Sequence, residues 1–248
     1  MLFRSAQSPN RLSVVEHQLG PLCQRDGGAL LEALLGSTAD DPLVKVRLVS
    51  TCALFAGQPA RGLEQISELS ARFEGVDLLL QYASQCEARG FAQVAVDAYG
   101  EYARLSSDTP HVFRALLKRA QISARGADKT KALEHYAELA ARFPNRPEAM
   151  EALVGIARLQ LEAGRSAEAV AAGLLPVIES PVRGSWLLEA LDLMAESALR
   201  MGDMTTAAAY ARQLAQQGQL AAYRAGVRSA ELAYFRGDCA AVIDDILA

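Results

Sequence analysis

The chain has 248 residues, of which 51% are hydrophobic and 22% are charged, so it is long enough to bury a sizeable core. Its formal net charge is −4 with both signs mixed throughout, and no basic run stands out, which argues against nucleic acid as a partner. Its apolar stretches end well before the roughly 18–20 residues that cross a bilayer, so we expect no membrane-spanning segment.

The first part of the chain, residues 1–41, shows a weak helical pattern that we interpret as a degenerate N-terminal helical hairpin. Gly20-Pro21 is predicted to break its first helix, because proline removes a backbone donor and clashes with the preceding turn. Asp26-Gly27-Gly28 is predicted to lie in the turn of this hairpin, which is the usual place for such residues.

From residue 42 to residue 248 the sequence predicts an array of six helical hairpins. Apolar residues recur at three- and four-residue steps, which is the period of an α-helix. Pro176 is predicted to bend or divide the second helix of the fourth pair. The predicted pairs are 43–56 with 59–73, 76–89 with 92–105, 111–125 with 128–142, 147–163 with 166–179, 185–201 with 204–217, and 219–236 with 239–248.

A glycine marks the turn of each predicted pair, at spacings of 33 to 38 residues. A recurrence of this length indicates a stacked-repeat architecture. Four polar side chains are predicted to cap the N-termini of second helices, namely Asp128, Ser166, Asp203 and Asp238. The turn glycines are Gly57, Gly90, Gly126, Gly164, Gly202 and Gly237.

Small residues recur at a fixed offset from each turn, where two helices are expected to cross. Helices approach to about 8–10 Å only if the side chains at their contact are short. In the first helices these residues are Ser50, Ala83, Ala120, Ala157, Ala195 and Ala230, and in the second helices they are Gly62, Ala95, Ala132, Ala169, Ala207 and Val242.

The glycine turns and the small crossing residues resemble the tetratricopeptide repeat (TPR) family, a helix–turn–helix repeat of about 34 residues. The closest agreement lies at 130–170, which includes Ala132, Tyr136, Leu139 and Phe143-Pro144-Asn145. Gly226 replaces a large apolar residue and several spacings exceed the family length, so the array is divergent. The resemblance implies an all-α, right-handed α-solenoid that binds protein partners in a concave groove lined by the first helices.

One subset of the family holds a C-terminal carboxylate with a clamp of lysine and asparagine residues. The corresponding positions in this chain do not form that clamp, so the resemblance does not imply a receptor for such tails. These positions are Asp77, Leu80, Ser84, Arg114, Leu117 and Gln121.

Two charged patches are predicted along the groove as contacts for a protein or peptide partner. The basic patch gathers Arg114, Lys118, Gln121, Arg125 and Arg158, and the acidic patch includes Glu189, Asp192 and Glu196, together with Glu151 and Glu162. A partner segment of complementary charge would gain specificity and association rate from such patches. The alternative is a solvated face with pairs between neighbouring side chains, such as Arg158 with Glu196 or Glu196 with Arg200.

Aromatic residues near the end of the chain predict a second contact. Tyr223, Tyr234 and Phe235 cluster on the last first helix and form a candidate C-terminal contact patch. Trp186 is interpreted either as an interaction residue or as a side chain that fills the gap between neighbouring repeats. The predicted final helix, 239–248, has no capping helix after it, so we expect either self-association through this helix or a longer parent protein.

The cysteines are widely spaced and form no CxxC motif. Cys52 and Cys86 are interpreted as small buried residues, with a disulfide or redox role as the alternative. Four unpaired thiols would favour a reducing compartment. We expect a cytoplasmic location if Met1 is the native start, and a periplasmic or envelope-associated one if the chain is a fragment.

No motif in the sequence predicts catalysis, a cofactor or a metal site. His17, His111 and His135 are isolated, and no metal-ligand spacing or phosphate-binding glycine loop is present. We therefore expect a non-catalytic interaction scaffold or adaptor, and the resemblance extends to bacterial arrays of envelope assembly, secretion or exopolysaccharide export. A cytoplasmic regulatory or chaperone-like TPR module and a self-assembling subunit stay open as alternatives.

Overall fold

The computed structural model describes residues 9–38, 41–72, 77–144, 146, 149–181 and 184–238. Every regular element within these residues is an α-helix, so the all-α fold class is confirmed. The chain divides into two compact units, Met1–Asp128 and Lys129–Ala248, which we describe separately. No described helix combines the length and the apolarity that crossing a membrane requires.

The first unit contains six described helices that pack mainly on their neighbours in the chain. Helix α1 packs on α2, α2 on α3, α4 on α5 and α5 on α6, while α3 packs on both α4 and α5. The helices are α1 (Pro9–Gly36), α2 (Pro42–Phe55), α3 (Pro59–Arg72), α4 (Asp77–Ala88), α5 (Ala92–Leu105) and α6 (Thr109–Arg125).

The second unit contains six more described helices. Each helix packs on the next one in the chain, and α10 also packs on α8 and on α12, so the first helices of consecutive pairs lie side by side. This arrangement is the one expected of a TPR-like stack. The helices are α7 (Lys129–Arg142), α8 (Ala149–Glu162), α9 (Ala167–Glu179), α10 (Trp186–Arg200), α11 (Met204–Ala215) and α12 (Gln219–Phe235).

The predicted helices from residue 42 onward agree with the described ones to within about two residues at each end. The predicted caps Ser166 and Asp203 are confirmed, because each side chain accepts a hydrogen bond from a backbone N–H of the first turn. The predicted helix 239–248 lies outside the described residues. The predicted boundary between 1–41 and 42–248 stays a prediction.

Five of the six turn glycines adopt a left-handed backbone conformation, with φ between 70° and 81°. A residue with a Cβ atom would be strained there, which explains why glycine recurs at these turns. Gly126 is the exception, since its φ of −75° and ψ of 178° are extended values that any residue can adopt. The five are Gly57, Gly90, Gly164, Gly202 and Gly237.

The predicted small residues are buried at most of the helix contacts. Ala83, Ala120 and Ala195 of the first helices have no exposed surface. The prediction that Ala169 is buried at a helix contact is wrong, because this residue is exposed. The neighbouring Val170, which is 1% exposed, is the buried residue instead. Val242 lies outside the described residues.

Gly62 shows how tight one of these contacts is. A Cβ atom at Gly62 would lie 2.1 Å from the Oη atom of Tyr82, which enters from α4. The Tyr82 hydroxyl is buried and donates a hydrogen bond of 2.7 Å to the carbonyl oxygen of Pro59. Glycine at position 62 therefore lets α3 and α4 approach closely while the tyrosine keeps its partner.

Cys52 is buried, as predicted, but it has the alternative role considered from the sequence, that of a disulfide partner. Cys23 of α1 and Cys52 of α2 form a disulfide, with their Cα atoms 5.3 Å apart, and both are fully buried. Cys86 is a free, buried cysteine, as predicted. Burial raises the pKa of the Cys86 thiol to about 11, so this thiol is protonated and unreactive at neutral pH.

The predicted break at Gly20-Pro21 is also wrong, because α1 continues through Pro21 and departs from helical geometry at Asp26 (φ −127°, ψ 35°). The glycines of this segment serve close packing. A Cβ atom at Gly20 would meet the Phe55 ring at 2.6 Å, and one at Gly27 would meet the Cβ atom of Ala56 at 2.6 Å. The non-helical residue Asp26 thus lies next to Gly27, where α1 packs against Ala56 at the end of α2.

Pro176 does not divide its helix, since α9 runs from Ala167 to Glu179 with the proline inside. Pro176 lies in the last turn and is exposed, and so is Ala172 one turn earlier. The carbonyl of Ala172 loses its helical partner at a position that water can reach, which makes the proline tolerable.

Candidate functional site

A groove of about 340 Å³ lies between α2 and α4 in the first unit, and we call it the α2–α4 groove. Its volume is in the range of ordinary ligand sites. Ile66 of α3 and His17 of α1 contribute to its lining. Helix α2 contributes Arg47, Leu54 and Phe55 to the lining, and α4 contributes Leu78, Gln81 and Gln85. Arg89, the first residue after α4, also lines the groove.

An arginine–aromatic stack forms one end of the α2–α4 groove. The Cζ atom of Arg89 lies 3.9 Å from the centre of the Phe55 ring, a cation–π contact. Gly20 contacts the same ring, since a Cβ atom there would lie 2.6 Å from it. Phe55 is therefore held by α1 and in turn supports the guanidinium group of Arg89.

The predicted basic patch on α6 is partly neutralised within the first unit. Lys118 Nζ lies 3.2 Å and Arg125 Nη1 lies 3.6 Å from Oε1 of Glu87. Tyr99 donates a hydrogen bond of 3.2 Å to the same carboxylate, and burial, aided by Glu87, raises the pKa of Tyr99 to about 12. Glu87 thus joins α4, α5 and α6. Arg114 is exposed, and Gln121 is half-buried.

A second groove, of about 460 Å³, lies in the second unit and is lined by Arg158 of α8, by Glu189, Asp192 and Leu193 of α10, and by Arg224 of α12. We call it the α10 groove. Arg158 forms an ion pair with Glu189, rather than with Glu196 as considered from the sequence.

Glu151 lies near the Arg158–Glu189 pair of the α10 groove. Burial, followed by repulsion from Glu189, raises the pKa of the Glu151 carboxyl, and Arg158 opposes the shift. Because the folded-state pKa is raised, this group favours folding at pH values below its ordinary pKa, and that contribution is lost as pH rises through the folded pKa.

Arg228 of α12 organises the acidic residues of α10. Its guanidinium contacts Asp192 at 2.6 Å, Glu196 at 2.9 Å and Glu231 at 2.8 Å, and its side chain is only 15% exposed. Glu196 also pairs with Arg200 at 2.6 Å, as considered from the sequence. The predicted acidic patch is therefore largely compensated inside the second unit.

Replacing Arg228 by glutamine is expected to lower the free energy of unfolding by about 1–2 kcal/mol, because it leaves partly buried carboxylates without their common cation. Arg228→Lys should recover only part of this loss, since the compact ammonium group lacks the planar fork of five N–H donors with which the guanidinium reaches the three carboxylates. Urea unfolding followed by circular dichroism measures both changes.

Arg104→Gln is the control for Arg228, because Arg104 is 63% exposed and pairs with Glu101 on its own helix. Surface pairs of this kind contribute little, so this variant should unfold like the wild type. Equal unfolding midpoints for Arg228→Gln and Arg104→Gln would contradict the proposed role of Arg228.

The predicted C-terminal aromatic residues lie at the surface of the second unit. Tyr223 is 74%, Tyr234 69% and Phe235 60% exposed, and the last two rings are in edge contact at 5.8 Å. Trp186 packs between buried clusters that include Leu193 and Leu214, which agrees with the gap-filling interpretation.

Sequence reasoning missed the α2–α4 groove and the roles of Glu87 and Arg228. It placed the groove face of α4 at Asp77, Leu80 and Ser84, whereas Leu78, Gln81 and Gln85, each one residue further along, line the groove. No signal in the sequence separates the two sets, because both recur at steps of three and four residues along α4.

Residues 114–146 match the model of a known family, the tetratricopeptide repeat. No curated protein matches the chain at a significant level. The matched segment includes Ala132, Tyr136 and Leu139, three of the residues on which the resemblance was based. Repeats of this family typically serve protein–protein interaction. The family match over this one segment and the packing of consecutive helices support the resemblance to a divergent tetratricopeptide repeat.

Proposed function

We propose that the chain is a non-catalytic scaffold or adaptor that binds segments of partner proteins in the grooves lined by its first helices. The observation that carries this proposal is the α2–α4 groove, which is open, mixes apolar with polar side chains, and lies between the first helices of two neighbouring pairs. A stack of helix pairs offers extended surfaces of this kind for binding. The charged and aromatic contacts predicted from the sequence stay predictions.

We further propose a role in a bacterial envelope, secretion or exopolysaccharide-export assembly. The Cys23–Cys52 disulfide supports this context, because disulfides persist in oxidising compartments such as the periplasm and are rare in the cytosol. The Phe143-Pro144-Asn145 junction, noted from the sequence, supports it by resemblance only; Asn145 lies outside the described residues. A cytoplasmic regulatory or chaperone-like module, and a subunit that assembles with itself, are the competing functions.

The test has a redox arm and a partner arm, both in the cells that produce the protein. In the redox arm, cells are quenched in acid and denatured, and thiols are alkylated with polyethylene glycol maleimide before or after reduction. We expect Cys23 and Cys52 to react only after reduction. In the partner arm, crosslinking and mass spectrometry are expected to recover envelope or export components.

Each competing function predicts a different outcome. The regulatory alternative would be established if Cys23 and Cys52 reacted with the maleimide before reduction and the chain crosslinked to cytoplasmic proteins. A mass that rises with concentration in light scattering, with crosslinks only between copies of this chain, would establish self-assembly. A Cys23→Ser/Cys52→Ser variant controls the redox arm, since reduction should not change its labelling.

A further inference from the structure

The side chains that line the α2–α4 groove carry positive but no negative charge among the described residues. Arg47 contributes a guanidinium from α2 and Arg89 one from the end of α4, whereas no aspartate or glutamate lines the groove. The whole chain has a net charge of −4, so the charge of the side chains that line this groove is opposite in sign to that of the chain. A groove of one charge sign attracts a segment of the opposite sign.

Arg89 is held in a position from which it can bind a carboxylate. Its guanidinium stacks on Phe55 at 3.9 Å, and it has no ion-pair partner among the described residues. Stacking occupies the face of the guanidinium, whereas its N–H donors lie in the plane of the group and stay available. A planar fork of donors is well suited to a carboxylate, and holding it in advance reduces the entropy lost on binding.

The remaining lining residues match an extended peptide better than a small anion. Gln81 and Gln85 are exposed and one helical turn apart, so their amides can donate to and accept from a peptide main chain. Leu54 and Leu78 add apolar surface beside them. A bare phosphate would use the arginines but leave the glutamines and the leucines without a role.

We propose that the α2–α4 groove binds an extended segment of a partner protein that carries an aspartate or glutamate side chain. The carboxylate pairs with Arg89, Arg47 adds positive charge to the lining, the glutamines contact the main chain, and a neighbouring apolar side chain packs against Leu54 and Leu78. This inference rests on the proposed function, because it names the partner segment that one groove of the scaffold takes.

The test uses phage-displayed random dodecapeptides, selected on the full chain and on an Arg47→Glu/Arg89→Glu variant. The displayed peptides are joined to the coat protein at their C-terminus, so only side-chain carboxylates are presented. We expect the wild type to enrich peptides with aspartate or glutamate next to an apolar residue. Enriched peptides made with an amidated C-terminus should bind the variant at least roughly tenfold more weakly in fluorescence anisotropy.

Two further variants control for folding and for net charge. Arg25→Glu/Arg104→Glu changes the net charge equally, at exposed arginines that do not line the groove, and should bind the peptides like the wild type. Arg89→Gln should weaken binding without reversing a charge, and it replaces the double variant if that protein fails to fold.

Several results would overturn the inference. The proposed acidic ligand of this groove would be rejected if the enriched peptides contained no acidic residues. It would also be rejected if acidic peptides bound the Arg47→Glu/Arg89→Glu variant as well as the wild type. Neither result would contradict the proposed scaffold role. Displacement of the peptide by single-stranded oligo(dT) would indicate a phosphate-binding site instead. A library that yields no binder would also reject the inference, and the crosslinking experiment would then decide the scaffold role separately.

Discussion

A Cys23→Ser/Cys52→Ser variant is expected to lose about 3–4 kcal/mol of unfolding free energy. The disulfide joins α1 to α2 across a sequence separation of 29 residues, and a closed loop of this size removes that much conformational entropy from the unfolded chain. Both sulfur atoms are buried, so the variant also places two hydroxyl groups in an apolar cluster with Leu19, Leu31 and Leu48. Urea unfolding followed by circular dichroism measures the loss.

Hydrogen exchange should locate the effect of the missing disulfide. We expect reduced amide protection mainly in α1 and α2, because these are the helices that the bond joins. Dithiothreitol should lower the stability of the wild type toward that of the variant and should leave the variant unchanged. An unfolding midpoint that depends neither on the reductant nor on the two substitutions would show that the bond does not contribute.

Gly62→Ala is expected to cost about 2 kcal/mol of unfolding free energy, although alanine is the better helix former. The added methyl group would lie 2.1 Å from Tyr82 Oη and would force the hydroxyl away from the Pro59 carbonyl. Overpacking costs about 1–3 kcal/mol and a lost buried hydrogen bond a similar amount, against a gain of about 1 kcal/mol in helix propensity. Thermal and urea unfolding measure the net effect.

A matched glycine and a double-mutant cycle test the explanation for Gly62. Gly173 also lies inside a helix, but a Cβ atom added there would face open space with no contact within 4 Å, so Gly173→Ala should stabilise the chain slightly. Tyr82→Phe removes the hydroxyl, so Gly62→Ala should cost less in that background than in the wild type. Equal costs in the two backgrounds would contradict the clash with the hydroxyl.

Most of the secondary structure could be predicted because its signals are local. The helical period and the glycine turns depend on residues that are close in sequence, and the left-handed conformation of Gly57 or Gly202 is what such turns require. The exceptions involve partners distant in sequence. The pairing of Cys23 with Cys52 and the contact between Gly20 and Phe55 depend on how α1 packs on α2, which no local pattern encodes.

The candidate site was less predictable, because a charge pattern does not specify which charges meet. The acidic residues Asp192 and Glu196 were identified from the sequence, yet their common partner, Arg228, lies 36 and 32 residues further on. Side chains that meet on adjacent first helices are expected to be about one repeat apart in sequence, so this separation limits the candidate partners of Asp192 and Glu196 to residues of α12. It does not distinguish Arg228 from Arg224, since both lie on α12.

The packing of helices on their sequence neighbours also has a kinetic consequence. In each unit the strongest contacts join consecutive helices, so the loops that must close during folding are short. Contacts between neighbouring helices favour fast folding, which can begin at any hairpin and spread to the adjacent one. Helical pairs at the edge of a unit are then expected to open and close without unfolding the remainder, which would allow the proposed partner segment to be exchanged while most of the unit stays folded.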